Sequence, residues 1–220
     1  MKRICICGGG SLGHVIAGYL SAKKDLEVNI LTQRPQLWKH ELQISTPEGD
    51  TLCGELNTIS DKPGEALHEV DIVLICLPGY AIKSELLKIK PYVNKRTHVG
   101  TVFSSTGFFF EALEILDNDV PLWGFQRVPF IARTNVYGES AHLLGYKTSH
   151  NIAVEHSEDK ERFRSQIEKL FDAPVHLLNN YYEASFTNSN PILHPSRLYT
   201  LFKDWNKNVY YDHQFLFYEE

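Results

Sequence analysis

The chain has 220 residues, of which 43% are hydrophobic and 22% are charged, so its composition is that of an ordinary globular protein. This length suits one large domain, or one domain followed by a smaller one. The formal net charge is -5 at pH 7 and basic residues do not cluster, which excludes a nucleic-acid partner. A small anionic ligand remains compatible, because local backbone dipoles matter more to it than net charge.

The N-terminus, the hydropathy and the cysteines indicate the cellular compartment. A strand is predicted from residue 3 onward, which leaves no room for a signal peptide. No apolar run reaches the length of about 18 residues that a membrane span needs. The four cysteines, Cys5, Cys7, Cys53 and Cys76, form no C-x-x-C pair and are interpreted as small core residues. We expect a cytoplasmic protein with no membrane partner.

The predicted elements alternate between strand and helix over the first hundred residues. In chain order we predict strands and helices over the following ranges: strand 3–7, helix 11–22, strand 27–32, small strands 42–44 and 51–56, strand 71–77, helix 81–89, strand 97–103, strands 124–131, 142–144 and 151–156, and helix 160–171. This alternation is typical of an α/β fold, here a doubly wound, mainly parallel Rossmann sheet.

The character of the chain changes after about residue 178. Polar residues and Pro191 interrupt the pattern, and Leu198, Leu201, Phe202 and Trp205 then recur at the spacing of one helical face. We predict a dinucleotide-binding domain over residues 1–178 and the start of an all-helical domain over 179–220.

A glycine-rich turn follows the first strand. Gly8, Gly10 and Gly13 fit the pattern G-x-G-x-x-G between a strand and a helix. In this pattern the first glycine permits the tight turn, the second lets the backbone approach a pyrophosphate, and the third lets helix and strand pack closely. Together with Ser11 and Leu12, these residues are predicted to bind a dinucleotide. The alternative is a glycine turn with only a structural purpose.

The end of the second strand indicates which nicotinamide cofactor binds. An NAD-specific domain usually places a carboxylate there, against the ribose 2′-hydroxyl, but this strand ends in Thr32-Gln33-Arg34. Thr32 can hydrogen-bond a 2′-phosphate and Arg34 can pair with its charge. We therefore expect NADP, with NAD as second choice; a surface arginine that closes a loop is the alternative.

Two further turns are predicted at the carboxyl ends of strands, where open α/β sheets bind ligands. Leu77 and Pro78 end one strand, and Ser104, followed by Ser105 and Thr106, ends the next. We expect both turns to face the cofactor, although proline, glycine and serine favour turns in any protein.

His194 is the candidate acid/base residue. Histidine exchanges a proton near neutral pH, which carbonyl reduction requires as hydride arrives. Asn190 lies four residues before it and shares its helical face if the helix continues through Pro191. A packed or capping histidine is the alternative. The other histidines have no metal-ligand spacing, so no metal site is predicted.

Four segments resemble the octopine/nopaline (opine) dehydrogenase family, within the wider superfamily that includes ketopantoate reductase and 6-phosphogluconate dehydrogenase. They are the N-terminal GGGSLGHVIAGYL, LTQRPQLW after the second strand, GFQRVPFIAR at 124–133 and NSNPILHPSRLY at 188–199. The resemblance implies a Rossmann domain followed by a helical domain, and the reductive condensation of an amino acid with a 2-keto acid. It implies that His194 is the acid/base residue and that Gln126 and Arg133 lie near the keto acid. Asn190 is predicted to contact the substrate because it shares a helical face with His194.

One departure from the family concerns length. The family's helical domain continues much further and supplies an arginine and an aspartate that assist the histidine, so we expect this chain to be truncated. The apolar helix face would then favour a homodimer. Three functions stay open: an NADP-dependent opine-type dehydrogenase acting on a keto acid and possibly an amino acid, a 2-keto acid reductase like ketopantoate reductase, and a catalytically silent NADP-binding module.

Overall fold

The structure is a computed structural model that describes residues 2–204 and residue 206. It divides into two compact units, the first ending at Phe186 and the second beginning at Thr187. The predicted boundary after residue 178 stays a prediction, while the structure groups the helix that follows that boundary with the first unit.

Twelve strands and seven α-helices make up the described part of the chain. In chain order they are β1 (Lys2–Cys7), α1 (Ser11–Ser21), β2 (Leu26–Leu31), β3 (Glu41–Ser45), β4 (Thr51–Glu55), β5 (Thr58–Ser60), α2 (Pro63–Ala66), β6 (Ile72–Ile75), α3 (Gly79–Ile89), β7 (His98–Thr101), α4 (Phe108–Ile115), β8 (Leu122–Phe125), β9 (Phe130–Val136), β10 (Ser140–Tyr146), β11 (His150–Glu155), α5 (Lys160–Phe171), β12 (Val175–Leu177), α6 (Tyr181–Phe186) and α7 (Asn190–Phe202).

An eight-stranded sheet forms the centre of the first unit, in the order β12-β11-β8-β7-β6-β1-β2-β5. Every neighbouring pair in it is parallel except β8 with β11. The central strands are buried on both faces, as continuous apolar runs such as Ile72–Ile75 require. The predicted doubly wound Rossmann sheet, mainly parallel and followed by helices, is confirmed.

A second, four-stranded sheet has the order β4-β3-β10-β9. It contains the small strands predicted near residues 42–44 and 51–56. Helix α1 packs between the two sheets, and its approach to the small sheet is close: a Cβ on Gly18 would lie 2.4 Å from Cγ1 of Ile44. The small sheet therefore covers the helix that follows the glycine turn.

The single strand predicted over 124–131 is wrong, because the chain there crosses from one sheet to the other. Strand β8 ends at Phe125 in the large sheet, and β9 begins at Phe130 in the small sheet. Pro129 has no N–H to donate, and its carbonyl accepts from Lys147. The break places Gln126 in the connection between the sheets.

Three of the four cysteines are core residues, as predicted. Cys5, Cys7 and Cys76 are buried, but Cys53 is exposed, which corrects the prediction for that residue. Its strand β4 is at the edge of the small sheet, where one flank has no neighbouring strand. Within the described residues, no helix is both long and apolar enough for a membrane span.

The second unit contains helix α7. Pro191 occupies its first turn, where the missing N–H is not needed, and the helix continues past Pro195 to Phe202. Leu198, Leu201 and Phe202 lie on this helix as predicted, whereas Trp205, the fourth member of the predicted face, lies outside the described residues.

Candidate functional site

The glycine turn between β1 and α1 has the tight geometry that its sequence predicts. Gly8 has φ of +118°, and a Cβ there would lie 2.7 Å from the carbonyl oxygen of Cys76. A Cβ on Gly13 would lie 2.2 Å from the carbonyl oxygen of Gly8. Because both obstacles are backbone atoms, neither position accepts a side chain without moving the turn.

Gly10 has a different role from its two neighbours in the motif. A Cβ on Gly10 would meet nothing within 4 Å. Gly10 is also the N-cap of α1, which has no side-chain cap and no acidic residue in its first turn. The first N–H groups of the helix, at Ser11, Leu12 and Gly13, therefore point their partial positive charge toward open space. The Ser11 hydroxyl is already engaged, since it accepts from the Thr134 backbone N–H at 3.1 Å.

Tyr137, in the turn between β9 and β10, covers one side of the glycine turn. The glycine motif in the sequence gives no indication of this contact. A Cβ on Gly9 would lie 2.4 Å from the Tyr137 hydroxyl. The middle glycine of the run, Gly9, is thus explained by a contact with a residue far along the chain. The presence of a glycine that the motif does not require, at position 9, is the one signal that could have indicated such a contact.

His14 holds the glycine turn against the same β9–β10 turn. Its Nε2 accepts from the Gly138 N–H at 2.7 Å, so its Nδ1 carries the proton and donates to the Gly10 carbonyl at 3.0 Å. The ring stacks on Trp38 at 4.2 Å. Burial lowers the pKa of His14, which keeps the ring neutral. His14 is thus a satisfied core histidine that positions the turn.

Thr32 and Arg34 follow β2 and lie beside the glycine turn and Tyr137. Thr32 is buried, and its hydroxyl accepts from the Arg34 N–H at 3.5 Å. The Arg34 guanidinium lies 5.3 Å from the ring centre of Tyr137. A stacked guanidinium loses little freedom when it binds a ligand, because the ring already restricts it.

The two other predicted turns lie at the same edge of the sheet but differ in what they expose. Pro78 is exposed, and Leu77 contacts Gly8, since a Cβ on Gly8 would lie 2.8 Å from its Cδ2. Ser104 is fully buried, and its hydroxyl donates to the Phe125 carbonyl at 2.8 Å. The Ser104 side chain therefore supports the end of β8.

Gln126 follows β8 at the carboxyl edge of the sheet and is held by Asn151. The Gln126 N–H donates to the Asn151 carbonyl at 2.9 Å, and the Asn151 amide donates to Gln126 Oε1 at 3.0 Å. Both residues line a cavity of about 390 Å³, named here the Gln126 cavity, which is lined by Gln126, Arg127, Lys147, Thr148, Ser149, His150 and Asn151. Arg133 is exposed on β9 and is not among these lining residues.

A larger cavity of about 630 Å³ lies at the opposite, amino edge of the same sheet. Its wall includes Lys2 and His98, where β1 and β7 begin, and it carries both acidic and basic side chains. We name it the amino-edge cavity. Within the described residues no group of histidine, cysteine and carboxylate side chains could hold a metal ion.

Asn190 and His194 lie in the second unit, on helix α7. They are four residues apart within one continuous helix and so share a face. The backbone N–H of Asn190 donates to the side-chain oxygen of Asn188 at 3.0 Å.

Comparisons with known proteins support the resemblance that the sequence motifs carry. Residues 4–105 match the family model described as Ketopantoate reductase PanE/ApbA. The chain is 25% identical over 224 residues to an opine dehydrogenase of Haliotis discus hannai, covering 92% of this chain and 55% of that protein. The resemblance to the opine dehydrogenases is confirmed.

Two further relatives are covered by this chain to a similar share of their length. The uncharacterized protein y4xO of Sinorhizobium fredii is 29% identical over 216 residues, covering 90% of this chain and 56% of that protein. A solved octopine dehydrogenase structure with NADH and L-arginine has a TM-score of 0.84 at 21% identity, covering 96% of this chain and 56% of that one. This chain spans slightly more than half the length of the relatives that it matches.

Proposed function

We propose that this chain binds NADP(H) at the turn formed by Gly8, Gly10 and Gly13, as part of an opine-type dehydrogenase. The main support is the amino end of α1, which has no side-chain cap and lies at the carboxyl edge of a parallel sheet. Its first N–H groups point toward the open space beside Gly10. A pyrophosphate satisfies such groups and is stabilised by the helix dipole. Leu77 and Pro78, which follow the neighbouring strand β6, would contact the same cofactor.

The preference for NADP(H) over NAD(H) rests on Thr32 and Arg34. No carboxylate ends β2, so nothing there recognises a free 2′-hydroxyl in the usual way. Arg34 is exposed and stacked on Tyr137, which suits it to pair with a 2′-phosphate.

The proposed reaction is the reductive condensation of an amino acid with a 2-keto acid. When bound, the reduced nicotinamide supplies the hydride. His194 would donate the accompanying proton, with Asn190 on the same helical face, while Gln126 and Arg133 would orient the substrate. The proposal includes a location in the cytoplasm and a homodimer, in which a second copy covers the exposed Leu198 and Phe202.

A second candidate function is the reduction of a 2-keto acid alone. It is favoured by the match of residues 4–105 to the ketopantoate reductase model. Both candidates require the same cofactor turn and differ in whether an amino acid is consumed.

Fluorescence titration of the full chain with NADPH and NADH tests cofactor binding. Arg34→Gln should weaken NADPH binding on the order of tenfold or more, with NADH unchanged, because one charge-assisted contact is lost. Gly10→Ala should weaken both cofactors, since its methyl group would occupy the space proposed for the pyrophosphate. Equal affinity for the two cofactors in the unmodified chain would refute the NADP preference.

NADPH oxidation with keto acids, with and without amino acids, tests the chemistry. Consumption only when both are present supports condensation, and consumption with a keto acid alone supports the second candidate. His194→Ala should abolish turnover while NADPH affinity stays the same. Unchanged turnover would remove His194 from the mechanism, and tight NADPH binding without any turnover would leave only the cofactor-binding part of the proposal.

A further inference from the structure

The Gln126 cavity lies at the same edge of the large sheet as the proposed cofactor turn. Strand β8 is parallel to β7 and, through β6, to β1, so Gln126 and the glycine turn lie at the same edge of the sheet. Open α/β sheets bind their ligands at this edge. A volume of about 390 Å³ is sufficient for a small organic acid.

The charge on the cavity wall has one sign. Arg127 and Lys147 are the charged residues among the seven that line it, and no carboxylate lines it. Neither forms an ion pair within residues 2–204. Two unpaired cations at one cavity in a protein of net charge -5 favour an anionic occupant.

The uncharged part of the wall supports the same interpretation. His150 is 3% exposed and packs against the rings of Phe125 and Phe171, and burial lowers its pKa to about 4, so it is neutral at physiological pH. Thr148 and Ser149 add hydroxyl groups that can donate to an oxygen anion. A cationic side chain would find no countercharge here and would be repelled by Arg127 and Lys147.

We propose that the Gln126 cavity selects an acidic substrate, namely an amino acid or keto acid with a second carboxylate in its side chain. Arg127 and Lys147 are then specificity-determining residues that accept this carboxylate and exclude basic side chains. The proposal rests on the proposed function for its choice of substrate class.

The test compares ligands of opposite charge on the full chain saturated with NADPH. Isothermal titration with glutamate, glutamine and arginine should show the tightest binding for glutamate and the weakest for arginine. Lys147→Glu should lower glutamate affinity on the order of ten- to hundredfold, and should raise arginine affinity, because a charged partner is replaced by its opposite. Arg127→Glu should act in the same direction.

A matched control makes the same charge change at the opposite edge of the sheet. Lys95 lines the amino-edge cavity, so Lys95→Glu should leave the ratio of glutamate to arginine affinity unchanged. Lys147→Gln gives a neutral variant that should lose part of the glutamate affinity without gaining arginine binding.

Three outcomes would overturn the proposal: arginine binding as tightly as glutamate, an affinity ratio unchanged in both Glu variants, or no binding of any of these ligands. The NADPH titration is read separately for each variant. A chain that fails to bind NADPH refutes the proposed function, while the glutamate-to-arginine ratio measured without cofactor still reports on the cavity alone.

Discussion

The two edges of the large sheet both carry a cavity and charged side chains, but they use their charge differently. At the amino edge Asp71 accepts from the Arg3 backbone N–H at 2.9 Å, and the Lys2 ammonium donates to Gln166 at 2.7 Å. At the carboxyl edge the charged residues that line the cavity, Arg127 and Lys147, are both cationic, and neither forms an ion pair within the described chain. The wall of the larger cavity thus carries charges of both signs, of which Lys2 and Asp71 are hydrogen-bonded by the fold, whereas the charged residues of the smaller one are cations alone.

This difference shows that cavity size alone is a poor guide to a binding site. Charged side chains that are hydrogen-bonded at the start of strands, such as Lys2 and Asp71, are satisfied without a ligand. Unpaired donors, such as the first N–H groups of α1 and the cations of the Gln126 cavity, are stabilised when a ligand arrives. The three predictions that follow test this division, from the largest expected effect to the smallest.

Gly13→Ala should lower the free energy of unfolding by about 3 kcal/mol, because the new methyl group would overlap the Gly8 carbonyl oxygen. Urea denaturation measures the change. The matched control is Gly10→Ala, whose methyl group meets nothing within 4 Å and should leave stability within about 0.5 kcal/mol of the parent. Equal loss in both variants would show that the turn is destabilised by any side chain.

Acidic pH should lower the free energy of unfolding, because each edge of the large sheet holds one histidine that burial keeps neutral in the folded chain. Burial lowers the pKa of His98, at the amino edge, and of His150, at the carboxyl edge, to about 4 from 6.5. The unfolded chain binds protons first, so stability is full above pH 6.5 and falls as the pH approaches 4. We expect a loss on the order of 2 kcal/mol for each residue, discounted for the partial exposure of His98.

Urea denaturation at neutral and acidic pH measures this loss, and His98→Gln or His150→Gln should each reduce it. An anion such as glutarate should raise the pKa of His150 while leaving that of His98 unchanged, which NMR titration would resolve. A pKa of His98 that moves equally would contradict the assignment of the anion to the carboxyl edge.

Asp71→Ala should lower the free energy of unfolding by about 1 kcal/mol, because the Arg3 N–H loses its acceptor. NADPH affinity should not change, since the amino edge is separate from the cofactor turn. Asp119→Ala is the comparison, as Asp119 lines the same cavity and should cost little. A loss of NADPH affinity in Asp71→Ala would break the division between the two edges.

The sequence was sufficient to predict the central strands and the glycine turn, because local patterns determine both. The run Ile72–Ile75 and the spacing of Gly8, Gly10 and Gly13 need no knowledge of distant residues. Helix α4 was not predicted, because three consecutive phenylalanines obscure the helical spacing of its buried residues Phe108, Ala112 and Ile115.

Parts of the site that depend on tertiary contacts could not be predicted. Tyr137 meets Gly9 across more than a hundred residues of sequence, and nothing in the local pattern pairs them. Arg127 and Lys147 meet at one cavity because the chain returns through β9 and β10, with the Lys147 N–H bonded to the Pro129 carbonyl at 3.2 Å. The lack of ion pairs for these two residues is likewise a property of the folded chain.

The contact of His14 and Gly9 with the β9–β10 turn also limits how this protein can be engineered. A chimera that transplants residues 4–105, the part matched by the family model, would leave Tyr137 and Gly138 behind. The transplanted loop would then lack the Gly138 N–H that donates to its histidine and the Tyr137 ring that lies beside Arg34. The proposed cofactor preference would consequently depend on two sheets, and exchanging it would require moving the small sheet together with the motif.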